Sequence, residues 1–163
     1  MEIRDATADD LPAILAIYND AVANSTAVWT EVLSDLDGRR RWFEERIGAG
    51  FPVLVAIVDG AVAGYATFGP YRALPGYRHT VENSVYVSES FYRRGIAEAL
   101  MRELVVRAQG ADVHVIVAAI EAGNLASVAL HRKLGFGVVG QMPEVGTKFG
   151  RWLDLVYMQR ILR

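Results

Sequence analysis

The stretch "YRRGIA" at residues 92–97 sets two arginines and a glycine between an apolar, β-like run and an amphipathic helical one. The first turn of a helix leaves backbone N–H groups unpaired and carries a partial positive charge. Gly95 removes the side chain that would hold an anion off those groups, Ala97 nearly does the same, and Arg93 and Arg94 add charge. A phosphate suits that chemistry; a plain capped turn is the competing account. Upstream, in "TVENSVYV" (80–87), strand alternation points Thr80, Glu82, Ser84 and Tyr86 one way and Val81, Asn83, Val85 and Val87 the other. A carboxylate such as Glu82 can take a proton from an attacking amine, directly or through water, or it can simply be solvated. Arg72 lies in the Gly/Pro-rich connection "GPYRALPGYRHTVE" just before that strand. An arginine there can bind a ligand carboxylate through two parallel charge-assisted bonds. Arg78 is a rival for the role, and an ordinary surface arginine is the alternative.

The elements that must position these residues follow from periodicity. Residues 2–4 form a short strand, and Thr7 caps a helix with Asp9 and Asp10 in its first turn. Leu11, Ile14, Leu15, Tyr18 and Val22 make its apolar stripe. A second helix starts near Asp35 and runs through Trp42, Phe43 and Ile47. "VLVAIV" (53–58), the turn Asp59-Gly60 and "AVAGYATF" form a β-hairpin, and 79–87 form a further strand. Ile96, Leu100, Leu104 and Ala108 define the buried side of a third helix, with Glu98–Arg102 and Glu103–Arg107 as i,i+4 pairs outside. "VHVIVAA" (113–119) reads as a central strand covered on both faces. Residues 124–134 make a fourth helix that Gly135 ends, and two late strands fall near 136–142 and 152–159. The order β-α-α-β-β-β-α-β-α-β-β predicts an α/β fold: one domain over 1–163, a mixed sheet with helices on both sides.

Composition excludes several classes. A net charge of −2 gives no support for nucleic-acid or membrane-surface binding. The absence of cysteine rules out a disulfide framework, a thiolate metal site and a cysteine nucleophile. "MEIRDATADD" lacks the apolar core of a signal peptide, and no run approaches the roughly 18 apolar residues of a membrane span, so a cytoplasmic protein is expected. "GFGVVG" (135–140) has dinucleotide-loop spacing, but a helix precedes it and a β-like run follows, the reverse of what that loop requires. "GTK" (146–148) lacks phosphate-loop spacing, and three scattered histidines make no metal cluster.

"SVYVSESFYRRGIAEALM" followed by "NLASVALHRKLGF" resembles the GNAT superfamily of N-acetyltransferases. "RDATADDLPAILAIYNDAV", "TAVWTE", "TVENSVYV" and "GTKFGRWLDLVYMQ" are similar, over nearly the whole chain, to the phosphinothricin and methionine sulfone/sulfoximine N-acetyltransferases. The resemblance implies a GNAT fold, acetyl-CoA as donor and no metal. It implies direct attack by the α-amine of a small amino-acid analogue in a ternary complex. Glu82 would be the base, and Arg72, Ala73, Leu74, Asn83 and Ser84 would line the substrate pocket. Val85, Tyr86 and Val87 would hold the pantetheine arm, and a backbone N–H near Val85 would stabilise the oxyanion. The pyrophosphate would sit on the amides of Arg93, Arg94, Gly95, Ile96, Ala97 and Glu98. Asn124 would bond the pantetheine, or serve only as a helix cap. Tyr92 departs from the family loop, which has Gln or Arg there. His131 stands where many members carry a tyrosine that protonates the departing thiolate; a packed helix histidine is the alternative. Trp29 and Trp152 are expected in packing or in a pocket wall. Relatives of this kind pair as dimers, so a homodimer is expected, with "KFGRW" reaching a neighbour's pocket. Acetylation of a polyamine or a protein N-terminus, and a non-catalytic acetyl-CoA sensor, are the other functions weighed.

Overall fold

A computed structural model describes residues 1–163. The elements are β1 (Glu2–Asp5), α1 (Leu11–Asn24), α2 (Leu36–Gly48), β2 (Val53–Val58), β3 (Ala61–Pro70), β4 (Thr80–Val87), α3 (Ile96–Gln109), β5 (Val115–Glu121), α4 (Leu125–Lys133), β6 (Gly137–Lys148) and β7 (Arg151–Ile161). Their order is the predicted one. The seven strands form one sheet in the order β1-β2-β3-β4-β5-β7-β6. Every neighbouring pair is antiparallel except β4 and β5, which run parallel.

Strand alternation divides the core in two. Val53 and Val55 of β2 pack with Leu11, Ile14 and Ile17 of α1 on one face. Leu54 and Ala56 pack with Leu100, Met101 and Leu104 of α3 on the other. Each fully buried Leu or Ile contributes about 1.5–3 kcal/mol by leaving water. The helices therefore cover both faces, as expected. Asp35 caps α2 by accepting from the Gly38 N–H at 2.7 Å. Thr7 and Asp10 form a capping box on the short 3-10 turn before α1, and Arg4 grips the Asp10 carboxylate at 2.8 and 3.0 Å.

Three features differ from the sequence reading. In α1, Ile17 is buried while Leu15 is only half-buried, because the sheet beneath sets which edge of the stripe is covered. Strand β5 begins at Val115 rather than 113, since the His79 carbonyl accepts the N–H groups of both His114 and Val115 at the strand's entry. It runs on to Glu121 because β7 offers partners as far as Leu155. The last two strands are longer than 136–142 and 152–159, meeting in a tight turn at Phe149 (φ 52) and Gly150 (φ 73). Two bulges, at Val138/Gly140 and Met142/Gly146, break their apolar alternation and hid the extension from a periodicity argument. No helix is long and apolar enough to cross a membrane.

Candidate active site

Strands β4 and β5 pair only through Thr80–Val115, Val81–Ile116 and Glu82–Val117. Beyond Glu82, β4 stays paired to β3 as far as Val87, while β5 stays paired to β7 as far as Glu121. The sheet therefore splits open immediately after Glu82. In an antiparallel ladder alternate residues bond to the same neighbour. Tyr71 N–H donates to the Thr80 carbonyl and Ser88 N–H to the Ala63 carbonyl, so the even-numbered residues of β4 face β3. The main-chain groups of Val85 and Val87 consequently face the opening, free to bind an extended ligand.

The opening leads to the start of α3. No backbone or side-chain acceptor in the protein takes the N–H groups of Arg93 to Glu98; the first helical bond is Ala99 N–H to the Gly95 carbonyl at 3.0 Å. Arg93 (φ 63) and Gly95 (φ 73) both adopt left-handed backbone, which turns this run into a concave row of donors. A Cβ placed on Gly95 would meet nothing within 4 Å, so the space above it is open. A cavity of about 610 Å³ runs from Val85 and Val87 past Gly95 and Ala97 to Asn124. Asn124 caps α4 by accepting from the Ser127 N–H at 3.2 Å, which leaves its amide N–H₂ free in the same cavity. Glu98 is bound by Lys133 at 2.6 Å and Arg102 at 2.7 Å, an arrangement that ties α3 to α4 and holds its carboxyl below the usual range. Tyr92 lies exposed on the loop rather than under it.

Glu82 is half-buried, and its carboxylate makes no hydrogen bond within the chain. Burial pushes its carboxyl above the ordinary value, while Arg72 first and Arg46 second pull it down. Arg72 is exposed, with its guanidinium 4.9 Å from the Tyr71 ring centre. Arg78 instead donates to the Pro75 carbonyl at 3.2 Å and is not among the charges acting on Glu82. Ala73 and Leu74 are exposed on the same connection and do not enclose Glu82 within this chain.

Arg46, with its neighbour Arg39, was not among the residues singled out from sequence. The signal was present: Arg39, Trp42 and Arg46 share one face of α2 at i,i+3 and i,i+7.

The expectation for Asn83 needs correction, His131 is the packed helix histidine rather than a thiolate acid, and Trp152 is not packed within the chain. The Asn83 side chain points away from Glu82, into the α3/α4 side, and donates its amide to His131 Nε2 at 3.0 Å. It is not on the substrate face. His131 is buried, and its Nδ1–H donates to the Ser127 carbonyl at 2.8 Å. A carbonyl only accepts, so Nε2 must be the unprotonated nitrogen. Burial depresses the imidazole pKa, leaving a neutral ring with no proton to offer the opening. Trp152 is also not packed: it is 68% exposed, whereas Trp29 stacks on Gly146 with its indole N–H bound to the Thr26 carbonyl at 3.0 Å.

A mixed sheet that splits beside a half-buried glutamate, above a row of free amides at a helix start, suits a transferase whose donor has an extended amide-bearing arm and a phosphate. The Acetyltransferase (GNAT) family pattern matches residues 14–136, and the chain belongs to that family. It is 54% identical over 158 residues to the L-methionine sulfoximine/L-methionine sulfone acetyltransferase of Pseudomonas aeruginosa, covering 96% of this chain and 92% of the relative. Among solved structures, the Sinorhizobium meliloti phosphinothricin acetyltransferase in complex with acetyl-CoA superposes with a TM-score of 0.96 at 40% identity, over 99% of this chain and 88% of that one. A Brucella melitensis structure described as a ribosomal-protein-alanine N-acetyltransferase gives a TM-score of 0.98 at 54% identity, over 99% and 100%.

Proposed function

We propose that this enzyme moves the acetyl group of acetyl-CoA to the α-amine of a small amino-acid analogue of the methionine sulfone, methionine sulfoximine or phosphinothricin kind. The observation that carries the reading is the split of the sheet directly after Glu82–Val117, which sets a partly desolvated carboxylate beside unpaired main-chain groups.

Acetyl-CoA supplies the activated acyl thioester. The amides of Arg93 to Glu98 hold its pyrophosphate, Val85 and Val87 pair with its pantetheine arm, and Asn124 bonds that arm while capping α4. Glu82 takes the proton of the substrate ammonium, directly or through one water. The Val85 N–H, facing the opening, stabilises the oxyanion. Arg72 holds the α-carboxylate. His131 takes no part in proton transfer, so the thiolate leaves without help from it. The same reading has the enzyme in the cytoplasm and paired as a homodimer; the pairing is supported by the exposed Phe149 and Trp152 at the tip of the β6–β7 hairpin.

The Brucella relative's name raises acetylation of a protein N-terminus as a second reading. A peptide groove selecting a cationic terminus would be acidic; the surroundings of Glu82 instead carry Arg39, Arg46 and Arg72. Thiol release from acetyl-CoA, measured against the three amino-acid analogues, spermidine and an alanine-terminated peptide, tests the proposal. It stands if an analogue gives the highest kcat/KM, and it falls if the polyamine or the peptide does.

A further inference from the structure

Helix α2 turns two arginines toward the sheet and gives neither a carboxylate partner. The Arg39 guanidinium lies 4.0 Å from the Tyr18 ring centre and 4.4 Å from that of Trp42. Arg46 lies 5.6 Å from the same indole. Neither has an acidic oxygen within 4.0 Å, although seven other Arg or Lys pairs with a carboxylate form in this chain. The Arg39 Nε is buried without an acceptor. Arg46 has only a 3.4 Å contact with the Thr67 hydroxyl, which already donates to the Pro52 carbonyl at 2.7 Å. Burial and the nearby Arg39 charge both lower the Arg46 pKa. The Glu82 charge acts on Arg46 only from beyond contact distance, and two half-buried cations held together with no carboxylate in contact are costly; such groups are normally paired.

The sheet is shaped for this arrangement. Gly69 pairs directly with Glu82 across β3 and β4, and a Cβ on Gly69 would collide with the Arg46 guanidinium. Glycine is there for space, not for backbone, since its φ lies outside the left-handed region. Arg46 can therefore lie over the strand beside the candidate base. A cavity of about 180 Å³ opens there, lined by Arg39, Trp42, Arg46, Thr67, Ser84 and Tyr86 among others. Along β4 it spans Ser84 to Tyr86, the same-face residues that follow Glu82. Arg72 lies in the other direction, beyond Thr80, whose carbonyl accepts from Tyr71. Glu82 thus has a cation on either side along the strand.

We propose that Arg39 and Arg46, with the Ser84 hydroxyl, bind the tetrahedral, oxygen-bearing head of the substrate side chain — sulfonyl, sulfoximine or phosphinate — while Arg72 takes the α-carboxylate. The inference rests on the amino-acid substrate proposed above and names what would select among amino acids. Guanidinium N–H groups match paired oxygens on one tetrahedral centre, and an anionic phosphinate would also neutralise the charge. Trp42 and Tyr18 hold the arginines in place from below by cation–π contact.

The test compares wild type, Arg46→Met and Gly69→Ala with four substrates: methionine sulfone, phosphinothricin, norleucine and 3-(methylsulfonyl)propylamine, the decarboxylated sulfone. Gly69→Ala adds one methyl that displaces Arg46 while leaving every charge present. Both variants should lose about 10- to 10²-fold in kcat/KM, mostly through KM, with the three head-bearing substrates, and less than about threefold with norleucine. Their thermal midpoints should equal or exceed that of wild type, because an uncompensated cation has been removed or moved outward. Equal losses on all four substrates, or a midpoint drop with no change in selectivity, would make Arg46 a packing residue and overturn the proposal. A loss confined to the three α-amino acids would reassign Arg46 to the carboxylate. A wild type that acetylates none of the four overturns the amino-acid reading itself, before any variant is made.

Discussion

Asn83 on β4 donates its side-chain amide to His131 on α4 at 3.0 Å, across the mouth of the split between β4 and β5. His131 is fixed from behind by the Ser127 carbonyl, so its tautomer is determined and its ring stays neutral. Of the two readings of this position, thiolate acid or packed helix histidine, the structure shows the second: a brace between helix and strand. Because its pKa is lower folded than unfolded, the unfolded chain binds the extra proton. The stability it contributes is fully present above the unfolded value near 6.5 and is lost as pH falls through the folded one. The gap in thermal midpoint between wild type and His131→Gln should therefore narrow from pH 7 to pH 5. The alkaline limb of kcat/KM should be the same in both, which a pH–rate profile would check.

Glu82→Gln keeps the size of the side chain and removes its proton-accepting power. Turnover should fall roughly 10²–10⁴-fold while acetyl-CoA affinity barely changes. In the wild type, kcat/KM should drop as pH falls below the raised Glu82 pKa. Arg46 pulls that pKa down, so Arg46→Met should move the acid limb to higher pH. An unmoved limb would show that the two groups do not interact.

Gly95 sits at φ 73 with open space above it. Gly95→Val places a branched side chain in the path of the pyrophosphate and adds about 1–2 kcal/mol of left-handed strain. Acetyl-CoA affinity should weaken at least tenfold in a variant that still folds. Calorimetric titration beside a melting curve separates the two effects; unchanged affinity would sink the phosphate cradle.

Arg72→Ala should lower kcat/KM with an α-amino acid by about 10- to 10²-fold. With the corresponding methyl ester or decarboxylated amine the loss should be much smaller, since the contact is already gone. A two-by-two set of rates decides the matter. If the losses simply multiply, Arg72 does not touch the carboxylate.

Lys148 is 2% exposed, and its ammonium donates to the Ser25 and Val28 carbonyls at 2.6 and 2.7 Å. It ties the β6–β7 hairpin to the segment that carries Trp29. Lys148→Met leaves those carbonyls without their charged donor and should cost about 1.5–3 kcal/mol, the usual worth of hydrogen bonds to a charged group. Chemical denaturation measures that cost, and a loss below 0.5 kcal/mol, the floor for even a neutral hydrogen bond, would refute it.

What the sequence determined by itself was local. The element order, the Thr7 and Asp35 caps, the α3 ion pairs and the bend at Gly95 follow from periodicity, capping chemistry and glycine's tolerance of positive φ, which neighbours along the chain supply. The unpaired first turn of α3 at Gly95 was legible for the same reason, while the full row from Arg93 to Glu98 came from the family resemblance. The tertiary structure decided everything that depends on pairing between distant segments. The split after Glu82–Val117 exists because β3 and β7 continue to hold β4 and β5 once those two part company. His131 is neutral because packing of α4 against the sheet buries it, where Asn83, on a strand 48 residues earlier, meets its Nε2. Arg46 stands beside Glu82 because Gly69, directly across from that glutamate, leaves room for a guanidinium, and no reading of α2 by itself contains that glycine.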